Sequence, residues 1–243
     1  MPGKLYIGTS GYSYKHWSGG VFYPAGLKQN KWLEYYCKHF NTVELNVTFY
    51  RLPKQVVFAG WDRRTPEGFV FAIKGSRFIT HIKRLKVSAQ PLKLMFERAK
   101  PLAKKIDVVL WQLPAGFKCD TERLSSFLRH LSKYKKFRHV FEFREASWFN
   151  NKIFQLLKKN NIAVCSADWP NCSRGLHLTA DFVYIRRHGT GAKLYSGCYS
   201  NAQLKKDAKL ISKQLSAERD VYIYFNNDAH GWAVENAKTL KKI

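Results

Sequence analysis

The segment Asp220–Asp228 reads DVYIYFNND. Val221, Ile223 and Phe225 are apolar at every second position, the period of a strand. The run then stops in three polar side chains, Asn226, Asn227 and Asp228, and a helix-forming stretch, WAVENA from Trp232, follows. A strand that passes through a polar loop into a helix is one βα unit, and such units assemble into parallel sheets.

The same unit recurs upstream. Strand-like runs are predicted at Lys4–Ser10 (KLYIGTS), Thr42–Asn46 (TVELN), Phe69–Ser76 (FVFAIKGS), Val108–Pro114 (VVLWQLP), His139–Glu145 (HVFEFRE), Ile162–Asp168 (IAVCSAD) and Phe182–Gly189 (FVYIRRHG). Helical periodicity falls between them: near Lys31–Phe40, at Lys54–Arg63 behind Pro53, over Leu92–Ile106 with a kink expected at Pro101, through Leu124, Phe127, Leu128 and Leu131, and through Ile153, Phe154 and Leu157 up to Asn160 and Asn161. Ser200 and Gln203 make a capping-box pattern ahead of Leu204, Ala208, Ile211 and Leu215. WPNCSRGLHLTA, after the sixth strand, has no helical period, so the sixth helix is expected to be reduced or missing. Eight strands in one alternation favour a closed (β/α)8 TIM barrel over an open doubly wound sheet. No shift in composition divides residues 1–243, so a single domain is expected.

Composition agrees with a globular chain. With 45% hydrophobic and 15% aromatic residues there is ample material for a core. MPGKLYIGTS enters its first strand almost at once and no apolar run approaches a membrane-spanning length, which predicts a soluble, cytoplasmic protein with no membrane partner. The five cysteines show none of the close pairs of zinc ribbons or redox motifs, so reduced thiols are expected.

Charge is the unusual feature. Forty-two Lys and Arg against seventeen Asp and Glu give a formal +25, a field that draws polyanions. Ten basic residues and one acid, Glu97, lie between Lys74 and Lys105. Nucleic acid, or a phosphate-containing small molecule, is the expected partner; lysines serving only for solubility are the alternative. Oligomeric state is not legible in the sequence.

Polar residues gather at the predicted strand ends: Glu44 and Asn46, Lys74, Gln112, Glu142 and Arg144, Asp168, Arg186 and His188, Asn226 and Asp228. Period two puts the members of each pair on one face, and barrels of this kind do their chemistry where strands end. These residues are therefore expected to line a mouth, with Asn227 beside them.

IGTSGYSYKHWSG with FYP, TVELNVTFYRLP, QLP with the following Phe117, FEFREASW, RRHG and YIYFNNDAHGWAVENA resemble, in the same order, the YecE-like family, also called domain of unknown function 72. The resemblance implies a TIM barrel and supplies neither an established activity nor accepted catalytic residues. Similarity of that barrel to metal-dependent abasic-site endonucleases and sugar isomerases is fold-level analogy.

Three chemistries fit the candidate residues. In metal-assisted hydrolysis of a phosphodiester, Glu44, Glu142 and Asp228 act as catalytic carboxylates. The candidate metal ligands are Glu44, Glu142, Asp168, His188 and Asp228, Mg²⁺ or Mn²⁺ being favoured over a zinc cluster because only His188 is well placed. Lys74, Arg144 and Arg186 would hold phosphate, with His188, Asn46, Asn226 and Asn227 as further ligand-binding candidates. In a non-catalytic nucleic-acid-binding module, Tyr12 and Tyr50 stack bases while Lys and Arg hold phosphates; Trp17 and Phe22 are expected to pack beneath the first loop instead. In a glycoside-type hydrolase, Glu44 and Glu142 serve as acid and base, a reading weakened by Arg144, which suits Glu142 as ligand or base rather than acid. Gly8, Gly11, Gly19 and Gly20 lack dinucleotide-fingerprint spacing, so no nicotinamide cofactor is indicated.

Overall fold

The computed structural model describes residues 1–169, 175–191 and 194–243. Among them the strands run, in chain order, β1 (Leu5–Thr9), β2 (Thr42–Leu45), β3 (Val70–Lys74), β4 (Ile106–Gln112), β5 (Arg138–Glu142), β6 (Ala163–Val164), β7 (Ser166–Ala167), β8 (Phe182–Arg187) and β9 (Asp220–Phe225). Helices alternate with them, and the pairing within the sheets is parallel. The α/β class expected from the alternation is present. The chain clusters into two compact units, one of Met1–Glu44, Arg64–Val70 and Phe182–Ile243, the other of Leu45–Arg63 and Phe71–Asp181.

In the first unit β9 lies between β1 and β8, with Ile7 opposite Ile223 and Tyr184 opposite Tyr222. Tyr222 and Tyr224, the residues between the alternating aliphatics, are as deeply buried as their neighbours. A parallel strand covered on both faces needs apolar bodies at every position, so the alternation in DVYIYF is shallower than a half-exposed strand would show. Beyond β1, Ser10 makes an isolated parallel bridge to Glu44. Gly8 is obligatory there, since a Cβ on it would lie 2.4 Å from the Thr42 carbonyl oxygen. The capping box at Ser200 opens the helix Asn201–Ser216 as expected, and Asp207 on that helix accepts from Arg187 Nε at 2.8 Å. Trp17 and Phe22 are buried, and Tyr23 stacks on Trp32 at 4.6 Å, so the first loop packs on its own aromatics.

In the second unit the sheet order is β3, β4, β5, β6, with Ala72 opposite Val108, Leu110 opposite Val140 and Phe141 opposite Val164. The helix expected over Leu92–Ile106 is shorter: it spans Ala89–Ala99, passes into a 3-10 turn at Lys100–Leu102, and Ile106 already begins β4. Pro101 lacks the amide that would continue the ladder, so the helix ends instead of kinking. The sixth predicted strand is broken at Cys165 into β6 and β7. The Val164 amide donates to Thr179 Oγ1 at 3.0 Å, a side chain standing where a strand would give a carbonyl. Among the described residues between Ala167 and Phe182 there is no helix, and residues 170–174 of the WPNCSRGLHLTA stretch lie outside the described ones. Two local elements differ from the expected loops: a short helix at Val47–Tyr50 and a π-helical turn at Phe78–Ile82. Among the described residues no helix is long and apolar enough to cross a membrane.

Candidate anion-binding site

Each unit carries a buried carboxylate–guanidinium pair at its strand ends. In the first unit Glu44 is fully buried and accepts from Tyr184 OH at 2.6 Å, from Arg186 Nη2 at 2.8 Å and from Ser10 Oγ. Arg186 Nη2 also donates to Ser10 Oγ at 2.9 Å. Burial, with the Glu44 charge next in size, drives the Tyr184 phenol well above its ordinary value, so it stays a donor. Both Glu44 oxygens are thus engaged, and a metal would have to displace a hydroxyl or the guanidinium. Glu44 and Asn46 do not share a strand face: β2 ends at Leu45, and Asn46 turns into the right-handed helical region ahead of Val47–Tyr50.

The NND end of β9 divides three ways. Asn226 Nδ2 lies 3.1 Å from His188 Nδ1, and both belong to the first unit. Asn227 is buried, its Nδ2 donating at 2.8 Å both to the Gly197 carbonyl and to Asn236 Oδ1, which ties the loop to the last helix. Asp228 has left the strand for a helical conformation, so it does not continue the face of Asn226. Burial raises its pKa, its carbonyl oxygen accepts from Trp17 Nε1 at 3.2 Å, and its carboxylate lies 3.5 Å from His16 Nε2. Tyr12 is half-buried and tilts on Tyr36.

The second unit gathers the charge. Glu142, fully buried at the end of β5, accepts on Oε1 from Gln112 Nε2 and from Arg144 Nε, each at 2.9 Å. Glu142 and Arg144, expected to share a strand face, meet as an ion pair although β5 ends at Glu142. The other side of the guanidinium is covered by Trp169, with Cζ 3.5 Å from the ring centroid. Lys74 ends β3 and is only 7% exposed, its ammonium 4.1 Å from the centre of the Phe49 ring. Gly75, directly after it, has no room for a side chain, since a Cβ would stand 2.4 Å from the buried Trp111 ring. Phe49 also meets His81 edge to face at 4.8 Å. Asp168 is half-buried beside Trp169, and Tyr50 is largely exposed.

His81 reports the electrostatics. Burial first, then the charges of Lys74, Arg144 and Arg77, lower its pKa to about 4, and Glu142 opposes them only weakly. Thr80 Oγ1 donates to the Ser76 carbonyl at 3.0 Å and has one proton, so at 2.9 Å from His81 Nδ1 it acts as acceptor and leaves the proton on Nδ1. The imidazole is neutral at ordinary pH because burial, reinforced by the nearby cations, disfavours its charged form. His81 and Trp169 are not among the expected site residues: His81 sits on a π-helical turn away from any strand end, and Trp169 follows a strand break. Among the described residues no group of three His, Cys, Asp or Glu side chains is arranged to hold a metal ion.

The chain matches a family model described as "Protein of unknown function DUF72" over residues 6–243. It is 25% identical to UPF0759 protein YunF of Bacillus subtilis, over 98% of this chain and 94% of that one. It is also 34% identical to UPF0759 protein YecE of Escherichia coli K12 over 113 residues, which is 46% of this chain and 39% of YecE. A crystal structure of a DUF72 family protein from Thermotoga maritima superposes with a TM-score of 0.83 at 29% identity, covering 98% of each chain. A DUF72 family protein from Enterococcus faecalis gives 0.80 at 21% identity, over 99% of this chain and 97% of that one, which speaks to fold alone. A model match from residue 6 to the last residue, together with a solved relative over nearly the full length, makes this chain a member of the YecE-like DUF72 family.

Proposed function

We propose that this protein binds a phosphate-bearing anion, a nucleic acid or a fragment of one, through Lys74 and Arg144 in the second unit. One observation carries the reading: two cationic side chains, each nine-tenths or nearly so withdrawn from water, both act on the same neutral imidazole, His81. Concentrating buried positive charge is costly unless an anion offsets it. A phosphate oxygen accepting from Lys74 and from the Arg144 guanidinium is a ligand chemistry that supplies such an anion. The formal +25 of the chain supplies the long-range attraction.

Binding without catalysis is the form of the proposal best supported. Glu44 has its oxygens occupied, Glu142 is held by Gln112 and Arg144, and the backbone turn at Asp228 separates it from Asn226. Metal-assisted hydrolysis would need Glu142 to exchange these partners for the ion. The single domain over residues 1–243 and the closed eight-stranded barrel are part of the same proposal, supported by strand–helix alternation and by the parallel pairing of β1, β9 and β8 and of β3 to β6.

Fluorescence anisotropy of a labelled single-stranded oligonucleotide, titrated at several salt concentrations, tests the nucleic-acid reading. Affinity is expected to fall steeply with salt, and Lys74→Met to reduce the slope by about one if Lys74 contacts a phosphate. Binding that ignores salt, or a slope unchanged by Lys74→Met, contradicts it.

A further inference from the structure

The second unit carries a separate surface that the anion site does not use. The helix Gln55–Arg63 buries Phe58 and Trp61, yet it presents Val56 at 66% and Val57 at 41% exposure. Valine is a poor helix former, so these two contribute nothing to the helix at exposed positions. Isolated exposed apolar residues are ordinary, but these are not isolated. With Val47 and Leu52 they line a cavity of about 510 Å³, and contiguous apolar ground of that kind marks interaction sites.

The rest of that cavity wall is basic. Arg51, Lys54 and Arg98 line it and no acid does. Arg98 is held in place by its Nη1, which donates to the Leu52 carbonyl at 3.1 Å, so its ordering is complete before anything binds. Glu97, the acid next to Arg98 on the helix Ala89–Ala99, faces Lys93 at 3.8 Å.

We propose that this surface docks a protein segment whose aliphatic side chains enter the Val47–Val57 cavity and whose acidic side chains meet Arg51, Lys54 and Arg98. Charge complementarity favours that occupant over the others. A second copy related by two-fold symmetry would set the same three cations against themselves. Bases of a single-stranded nucleic acid stack on aromatic faces, and this cavity is walled by aliphatic groups. An aliphatic floor with a cationic rim instead fits a partner whose apolar anchors give affinity and whose carboxylates give orientation and on-rate.

A random peptide library displayed on phage and panned on the full chain, with the Val56→Ser, Val57→Ser double variant used for subtraction, tests the proposal. Both valines are exposed, so the variant is expected to melt with the wild type. Enriched peptides are expected to combine acidic with aliphatic residues. A synthesised representative is expected to bind the wild type about tenfold or more tightly than the variant, with affinity falling as salt rises. Enrichment of peptides without acids, or of none that separates the two proteins, overturns the proposal. So does an oligothymidylate whose binding is lost in the double variant, which would give the surface to nucleic acid. A wild-type dimer that the double variant converts to monomer would give it to a second copy and overturn the proposal equally.

Discussion

Arg144 lies between Glu142 and Trp169, its Nε 2.9 Å from the carboxylate and its guanidinium carbon 3.5 Å from the centre of the indole ring. Two restraints on one side chain fix its plane, and a planar fork held in advance loses little on gripping an oxyanion. The aromatic cover also desolvates the cation, the condition in which a cation–π contact is worth most, about 2 kcal/mol. Trp169→Ala is expected to weaken anion binding several-fold with little loss of melting temperature, because Trp169 is itself half exposed. Unchanged affinity by calorimetry would show that the stacking does not prepare Arg144 for a ligand.

Glu44 is the counterpart in the first unit, and its role there is structural. Glu44→Gln removes the carboxylate from the buried Glu44–Arg186 pair and is expected to cost about 3–5 kcal/mol, as breaking a buried pair does. Chemical denaturation measures it. A variant as stable as the wild type would mean that the pair contributes no net stability and would reopen a catalytic reading of Glu44.

The pH dependence of stability follows from His139. Its Nδ1 accepts from Trp111 Nε1 at 3.2 Å and its Nε2 faces the Tyr134 carbonyl, also at 3.2 Å, so it is neutral with both nitrogens engaged. Burial lowers its pKa to about 4. In the unfolded chain the imidazole takes up a proton near its ordinary value of about 6.5 while the folded protein refuses it, so stability is complete above that pH and falls as pH drops toward about 4. The loss from His139 is roughly 3 kcal/mol across that window. His81 acts in the same direction, by less because it is half exposed. An NMR titration placing the His139 midpoint near its ordinary value would contradict the burial argument.

Gly75 ties the candidate site to the core. Gly75→Ala forces a methyl group against the Trp111 ring, 2.4 Å away, and overpacking of this kind costs about 1–3 kcal/mol. The same displacement is expected to weaken anion binding at Lys74, the adjacent residue. Wild-type melting in the variant would mean that the ring yields freely.

Much of this was legible in the sequence, and the exceptions have physical causes. The alternation of strands and helices, the capping box at Ser200 and the packing of Trp17 and Phe22 all follow from periodicity and local chemistry. Reading polar pairs onto one face by period two fails where the residue beyond the strand turns helical, as Asn46 does past β2 and Asp228 past β9, whereas Arg144, past the end of β5, still reaches Glu142. Next to the break at Cys165, the Val164 amide bonds to Thr179 Oγ1, a contact that a local window of sequence does not contain. His81 and Trp169 reach Lys74 and Arg144 through tertiary packing alone.

The central claim is that Lys74 helps to hold an anion, and calorimetric titration of inorganic phosphate into the full chain at low salt tests it most directly. Methionine keeps an unbranched apolar side chain but removes the ammonium that stands over Phe49, so Lys74→Met is expected to melt slightly below the wild type while remaining folded. Wild-type protein is expected to bind phosphate saturably and Lys74→Met about ten to a hundred times more weakly, the ratio for losing one charge-assisted hydrogen bond. No saturable heat with the wild type, or equal affinity in the two proteins, would contradict the account.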